Sequence, residues 1–165
     1  MLNEDYIKAG KIAAEVREMV RVKDWIGKTV YEICEEVENE IKKRGAKCAF
    51  PVNASINEIA AHYTAEPNDP ITIKDTDLVK IDLGAQINGY IADTAVTVCY
   101  DVQFDGLVQA AEEALGSAMS MIKTGVKASD IGRTIESTIK QMGFKPIANL
   151  SGHSLEQYTI HAGRS

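Results

Sequence analysis

Apolar and polar residues alternate over residues 80–87, where every second position is isoleucine, leucine or alanine. This period of two predicts a β-strand with one buried face and one polar face. Asn88-Gly89 follows, and this dipeptide is a strong signal for a two-residue type I′ turn, because both turn positions need a positive φ. The next segment, 90–98, is rich in β-branched residues, which favour strands. The pattern therefore predicts a β-hairpin.

Two carboxylates lie within this otherwise buried hairpin. A two-residue turn pairs Asp82 with Ala95 and Gly84 with Asp93. The aspartates then share one face as a diagonal pair, with backbones about 7–8 Å apart. A three-residue turn would place them on opposite faces, so the prediction depends on the turn.

Converging carboxylates in a half-buried sheet repel each other and lose hydration, so they must share a proton, bind a cation or face water. All three interpretations are open from the pattern. We favour a bound divalent cation at Asp82 and Asp93. If a histidine joins these oxygen ligands, the set is typical of a first-row metal.

Helical periodicity predicts four helices, within residues 5–22, 27–45, 104–123 and 125–143. The second and fourth segments align without a gap, including the glycines at both ends. Thr29-x-x-Glu32 predicts a capping box, Ser129 is a favourable N-cap, and the closing glycines suit C′ positions. The apolar positions coincide as well, at Ile33 and Ile131, Val37 and Ile135, and Ile41 and Ile139.

The alignment indicates an internal repeat, residues 5–98 and 104–165, within a single domain spanning 1–165. Lys47 and Lys145 lead from the two copies into extended segments. In the second copy, the counterpart of the aspartate hairpin would begin beyond Ser165. We therefore expect the C-terminal part of a duplicated fold to be missing from this chain.

Composition limits the classes of function. The chain has 165 residues, 45% of them hydrophobic and 25% charged, with a net charge of −6, which is typical of a globular protein and argues against a nucleic-acid partner. Cys34, Cys48 and Cys99 fit free thiols in a reducing compartment. Because the N-terminal helix carries charges throughout and no stretch reaches transmembrane length, we expect no membrane partner and a cytoplasmic location.

The three histidines of the chain lie outside the predicted helices. His62 lies in FPVNASINEIAAHYT, and His153 and His161 both lie in NLSGHSLEQYTIHAG. In one continuous strand, His153 and His161 would point to the same face, because their numbers differ by an even value. Histidine suits metal ligation and acid–base work near neutral pH.

These two segments and KIDLGAQINGYIADTAVTV together resemble the methionine aminopeptidases, and type 2 more than type 1. The resemblance covers nearly the whole chain. It implies the pita-bread fold, an α+β architecture of two pseudo-symmetric halves around a curved antiparallel sheet with helices outside, with the second half incomplete here. It also implies removal of N-terminal methionine from nascent proteins and peptides whose second residue is small.

The resemblance implies a site with two divalent metal ions, Co, Mn, Fe or Zn. Asp82 matches the aspartate that chelates one metal, Asp93 the aspartate that bridges both, and His153 the histidine ligand. His62 and His161 match histidines that contact the substrate, the second stabilising the tetrahedral intermediate. The methionine side chain would contact apolar walls at Phe50 and Ile160.

The family has two further glutamate ligands, which match no residue here, Glu66 and Glu156 included. Three alternatives remain open. An X-Pro peptidase of the same fold also uses an aspartate hairpin, but the Ala-Ala-His-Tyr-Thr stretch argues against it. A non-catalytic binding protein on this fold would generally have lost metal ligands. The chain could also be a fragment that folds but is inactive alone.

Overall fold

The computed structural model describes residues 3–163, which form two compact units. The first comprises the chain up to Tyr100 together with the segment from Gly152 onward, and the second comprises Asp101–Ser151. In chain order, the first unit contains α1 (Glu4–Val22), α2 (Val30–Lys43), β1 (Lys47–Cys48), β2 (Asn53–Ile56), β3 (Leu78–Ile87), β4 (Tyr90–Cys99), β5 (Ser154–Glu156) and β6 (Thr159–Ala162). The second unit contains a short 3-10 helix (Val102–Phe104), α3 (Asp105–Met121) and α4 (Ala128–Gln141).

The sheet of the first unit is built around β3, and the predicted hairpin is confirmed. β4 pairs antiparallel with the full length of β3 across the turn at Asn88-Gly89, whose residues have φ values of 50° and 85°. β1 and β2 pair with successive parts of the opposite edge of β3. β5 and β6 form a separate two-stranded hairpin.

One face of this sheet is covered by helices. α1 packs against β3 and β4, and α2 packs against β1 and β2. Buried positions in α1 recur every three or four residues, which is the spacing of one helix face. Arg17 of α1 also donates a hydrogen bond of 3.1 Å to Thr94 of β4. The core residues common to these elements are Val16, Val20, Val30, Ile33, Val37, Ile41, Val79, Ile81 and Leu83.

The second unit is a pair of helices. Ala110, Ala114 and Ala118 form a buried row on α3, which packs against α4. None of the α4 residues is fully buried. The isoleucines of α4 that align with the buried face of α2 are therefore only partly covered.

Of the four predicted helix-end features, three are confirmed. The capping box of Thr29 and Glu32 is present, and the closing glycines Gly45 and Gly143 follow the helices with φ near 85°. The N-cap predicted at Ser129 is wrong, because α4 begins at Ala128 and its N-cap is Lys127, two residues earlier, without a side-chain hydrogen bond. No strand follows Lys145 before Ser154 within the described residues. The repeat and the single catalytic domain stay predictions.

Candidate metal centre

The polar face of the β3–β4 hairpin carries both aspartates. Asp82 pairs with Ala95, and Gly84 pairs with Asp93, as the two-residue turn predicts. Neighbouring residues on β3 point to opposite faces, so the helices cover Ile81 and Leu83 while Asp82 faces away from them. The same alternation that buries the core therefore presents the carboxylates on the other side.

The two carboxyl groups lie close enough for each to influence the titration of the other. Burial raises the pKa of Asp82 to about 6, and the negative charge of Asp93 adds to this rise. Burial also raises the pKa of Asp93, although His153 and the hydrogen bond from Asp82 act in the opposite direction. Two carboxylates this close repel each other, and either a shared proton or a bound cation would relieve that repulsion.

The histidines of the β5–β6 hairpin lie beside Asp93. The Nε2 atom of His153 is 3.6 Å from a carboxylate oxygen of Asp93. The rings of His153 and His161 contact each other edge to face, with centroids 4.4 Å apart. The two histidines do not lie on one continuous strand. A hairpin turn separates them instead, so that they meet across paired strands.

His62 approaches the pair from a different segment. It lies in an irregular stretch after β2, has a φ of 66° and is exposed. A charge on His62 would lower the pKa of Asp82. Of the three histidines, His153 and His161 are the two that the structure brings together beside Asp93.

Phe50 packs directly over the hairpin. A Cβ atom on Gly84 would lie 2.3 Å from the ring of Phe50, a distance that no real contact allows. Gly84 therefore lets an aromatic ring lie against the backbone opposite Asp93. Ile160 is half-buried on β6 beside His161. These are the two apolar residues for which the family resemblance implies contact with the methionine side chain, and that role stays a prediction.

Lys80 and Asn53 also lie beside Asp82, although the sequence pattern did not mark either as a site residue. Lys80 is two residues from Asp82 on the same face of β3, and Asn53 of β2 pairs with Asp82. Burial lowers the pKa of Lys80, and the charge of Asp82 acts against this. The alternation of β3 indicated the face of Lys80, but the pairing of β2 with β3 has no local sequence signal.

The chemistry of the donor set fits a divalent cation. Asp82, Asp93 and His153 offer carboxylate oxygens and an imidazole nitrogen, which suit first-row metals. A cation bound there would also offset the negative charge of Asp93, which contributes to the raised pKa of Asp82. As arranged in residues 3–163, no group of three or more His, Cys, Asp or Glu side chains forms a site that could hold a metal ion. The three donors are instead linked in pairs, through Asp93.

Comparison with known proteins decides the family. The model of metallopeptidase family M24 matches residues 4–164. A methionine aminopeptidase of Methanothermus fervidus is 43% identical over 176 aligned positions, which cover 98% of this chain and 93% of the relative. The chain belongs to metallopeptidase family M24. Within that family it is related to the methionine aminopeptidases.

Other relatives of this M24 chain are longer. It is 52% identical to the methionine aminopeptidase of Pyrococcus abyssi over 159 residues, which are 96% of this chain and 54% of that protein. The chain thus spans about half the length of the curated relatives it matches first. The crystal structure of a Thermotoga maritima methionine aminopeptidase superposes with a TM-score of 0.88 at 29% identity, over 99% of this chain and 70% of that one. The α+β pita-bread fold predicted from the sequence is confirmed by this likeness.

Members of a metallopeptidase family depend on divalent metal ions. The carboxylate and imidazole donors of this M24 chain are consistent with that dependence. The number and identity of the metal ions belong to the proposal below. No helix within residues 3–163 is long and apolar enough to cross a membrane.

Proposed function

We propose that this chain supplies the aspartate and histidine side of a methionine aminopeptidase site. The observation that carries the proposal is the pair Asp82 and Asp93, which the hairpin register places on one face, with Nε2 of His153 3.6 Å from Asp93. The names of the relatives support the same reaction. The substrates would be peptides and nascent proteins that begin with methionine and have a small second residue.

The proposed site holds two divalent ions, of Co, Mn, Fe or Zn. Their ligands in this chain would be Asp82, Asp93 and His153. When bound, the ions supply positive charge that activates water and polarises the first peptide carbonyl. The imidazoles of His62 and His161 donate hydrogen bonds to the scissile amide and to the charge that develops on its oxygen. Phe50 and Ile160 contact the methionine side chain.

The chain also has features that support a cytoplasmic location for this reaction. Cys34 and Cys48 are free thiols, which persist in reducing compartments. Burial raises the pKa of both thiols, so they resist oxidation. N-terminal processing of nascent chains takes place in the same compartment.

A chimaera tests the function. Residues 1–165 would be joined to the remaining length of the Pyrococcus abyssi relative, which is 52% identical over the shared part. We expect Mn²⁺-dependent release of methionine from Met-Ala-Ser. Asp82→Asn and Asp93→Asn should abolish release, whereas Asp75→Asn, an exposed aspartate outside the site, should not change it.

Ala-Pro-Ser is the matched second substrate, because an X-Pro peptidase would cleave it instead. Cleavage of Ala-Pro-Ser without cleavage of Met-Ala-Ser would refute the proposed specificity. Methionine release that persists in Asp82→Asn and Asp93→Asn would refute the role of the aspartates.

A further inference from the structure

The β5–β6 hairpin, which carries His161 and directly follows His153, rests on the turn of the first hairpin. The side-chain Nε2 of Gln157 donates a 2.8 Å hydrogen bond to the backbone oxygen of Asn88. The backbone N–H of Tyr158 donates a second bond, also 2.8 Å, to the oxygen of Gly89. The turn of one hairpin is thus bonded to the turn of the other.

Gly89 is shaped for this contact. Its φ of 85° is unfavourable for other residues, and a Cβ atom at this position would lie 2.5 Å from two ring carbons of Tyr158. Tyr158 is itself held at a φ of 60°. The ring of Tyr158 therefore occupies the space that a side chain at position 89 would need.

The turn is also fixed from its other side. Asn88 donates a 3.0 Å hydrogen bond from Nδ2 to a carboxylate oxygen of Asp5 in α1. The rings of Tyr6 and Tyr90 pack edge to face with centroids 4.9 Å apart. The β5–β6 hairpin is consequently attached, through Asn88 and Gly89, to a turn that the N-terminal helix holds in place.

The opposite end of the β5–β6 hairpin is where the histidines meet Asp93. His153 directly precedes β5, and His161 lies in β6, which pairs with β5. Most residues of this short hairpin are exposed, so packing alone gives its position little support. A displacement at Gln157 and Tyr158 would move both imidazoles relative to Asp93.

We propose that Gln157 and Gly89 are positioning residues that set the distance of His153 and His161 from Asp93. The proposal rests on the metal-binding role of Asp93 and His153 proposed above. Neither residue touches metal or substrate; both act through the placement of the hairpin. Residues that orient metal ligands without touching the metal typically contribute 10–100-fold to metal affinity. Gln157 and Gly89 would belong to this kind.

Gln157→Met tests the side-chain hydrogen bond. Methionine keeps the length of glutamine without a donor or a new charge, and position 157 is exposed, so folding should be retained. We expect Mn²⁺ affinity, measured by isothermal titration calorimetry, to fall about tenfold. In the metal-free chain, the imidazole ¹⁵N signals of His153 and His161 should shift. Gln109→Met, at an exposed position of α3, should change neither measurement.

Gly89→Ala tests the backbone contact, and Gly45→Ala is its matched control. Gly45 has nearly the same φ, 83°, but nothing lies within 4 Å of its added Cβ. We expect both variants to lose stability and only Gly89→Ala to shift the histidine signals and weaken Mn²⁺ binding. Removal of the ring in Gly89→Ala/Tyr158→Gly should restore a large part of the affinity.

Unchanged histidine signals in both Gln157→Met and Gly89→Ala would overturn the positioning role. Equal effects of Gly45→Ala and Gly89→Ala on the signals would also overturn it, because strain alone would then explain them. If the chain alone binds no Mn²⁺, the chimaera decides the metal function, and the metal-free histidine signals still decide the positioning role.

Discussion

Gly84 lies at the centre of the site, between Asp93 on the neighbouring strand and the ring of Phe50. It pairs with Asp93 and has the ring of Phe50 against its backbone. Its backbone does not require positive φ, so the absence of a side chain is needed for space alone. The loss of that space would move Phe50 or bend β3 beside Asp82.

Gly84→Ala and Gly10→Ala should have opposite effects on stability. The added Cβ of Gly84→Ala meets Phe50 at 2.3 Å and Ala49 at 2.9 Å, and overpacking of this kind costs roughly 1–3 kcal/mol. Gly10 lies within α1, with nothing within 4 Å of an added Cβ, and alanine there should stabilise the helix by about 1 kcal/mol. Urea unfolding of both variants measures the two values. Stabilisation by Gly84→Ala would contradict the close contact.

The three histidines should divide into two kinds. In the chimaera, His62→Ala and His161→Ala should retain metal and lower turnover roughly 10²–10³-fold, the usual cost of one lost preorganised donor. His153→Ala should lose metal as well, because its Nε2 is the imidazole atom nearest to Asp93, at 3.6 Å. Metal content by atomic absorption and turnover on Met-Ala-Ser separate the two kinds. Equal loss of metal in all three variants would refute this division.

At the scale of elements, local patterns predicted the helices and the first hairpin well. Period-two alternation and Asn88-Gly89 specified the register of β3 and β4, because a one-residue slip would have exposed Ile81 and Leu83. The β5–β6 hairpin was not predicted, since Gln157-Tyr158 carries none of the glycine or asparagine that mark such turns. The pairing of β2 with β3 depends on tertiary contacts that have no local signal.

α2 and α4 share a sequence pattern but differ in burial, which gives a matched pair of substitutions. Ile41 is fully buried in the core, so Ile41→Ala should cost about 2–5 kcal/mol of unfolding free energy. Its aligned partner Ile139 is only partly buried, and Ile139→Ala should cost less than about 1.5 kcal/mol. Urea unfolding followed by circular dichroism compares them. Equal losses would mean that α4 is covered as fully as α2.

The C-terminal turn of α2 should respond to acid. Hydrogen bonds from Lys43 and Arg44 hold the pKa of Glu40 at about 2, below its usual 4.5. A lowered pKa means that these interactions stabilise the fold above pH 4.5 and are lost as the pH falls through 2. The difference in melting temperature between the wild type and Glu40→Gln should therefore shrink over this range. A constant difference from pH 5 to pH 2 would contradict the interaction.

For the whole molecule, the arrangement of donors limits what the 165 residues can do alone. Asp82, Asp93 and His153 are linked only in pairs, and residues 3–163 contain no group of three that could hold an ion as it stands. We expect the chain to bind Mn²⁺ weakly, to self-associate and to release no methionine from Met-Ala-Ser. The chimaera should release it at the same metal concentration. Comparable turnover by the two proteins would mean that ligands outside this chain are not needed.

The contact between Gln157 and the turn at Asn88 can form only after both segments have been synthesised. About 60 residues separate Asp93 from His153, so a ribosome that adds 5–20 residues per second needs roughly 3–12 s to pass from one to the other. During that interval α1, β3 and β4 are already made, whereas both histidines of the β5–β6 hairpin are not. The aspartate pair is thus synthesised several seconds before His153 and His161, whereas His62 precedes the pair.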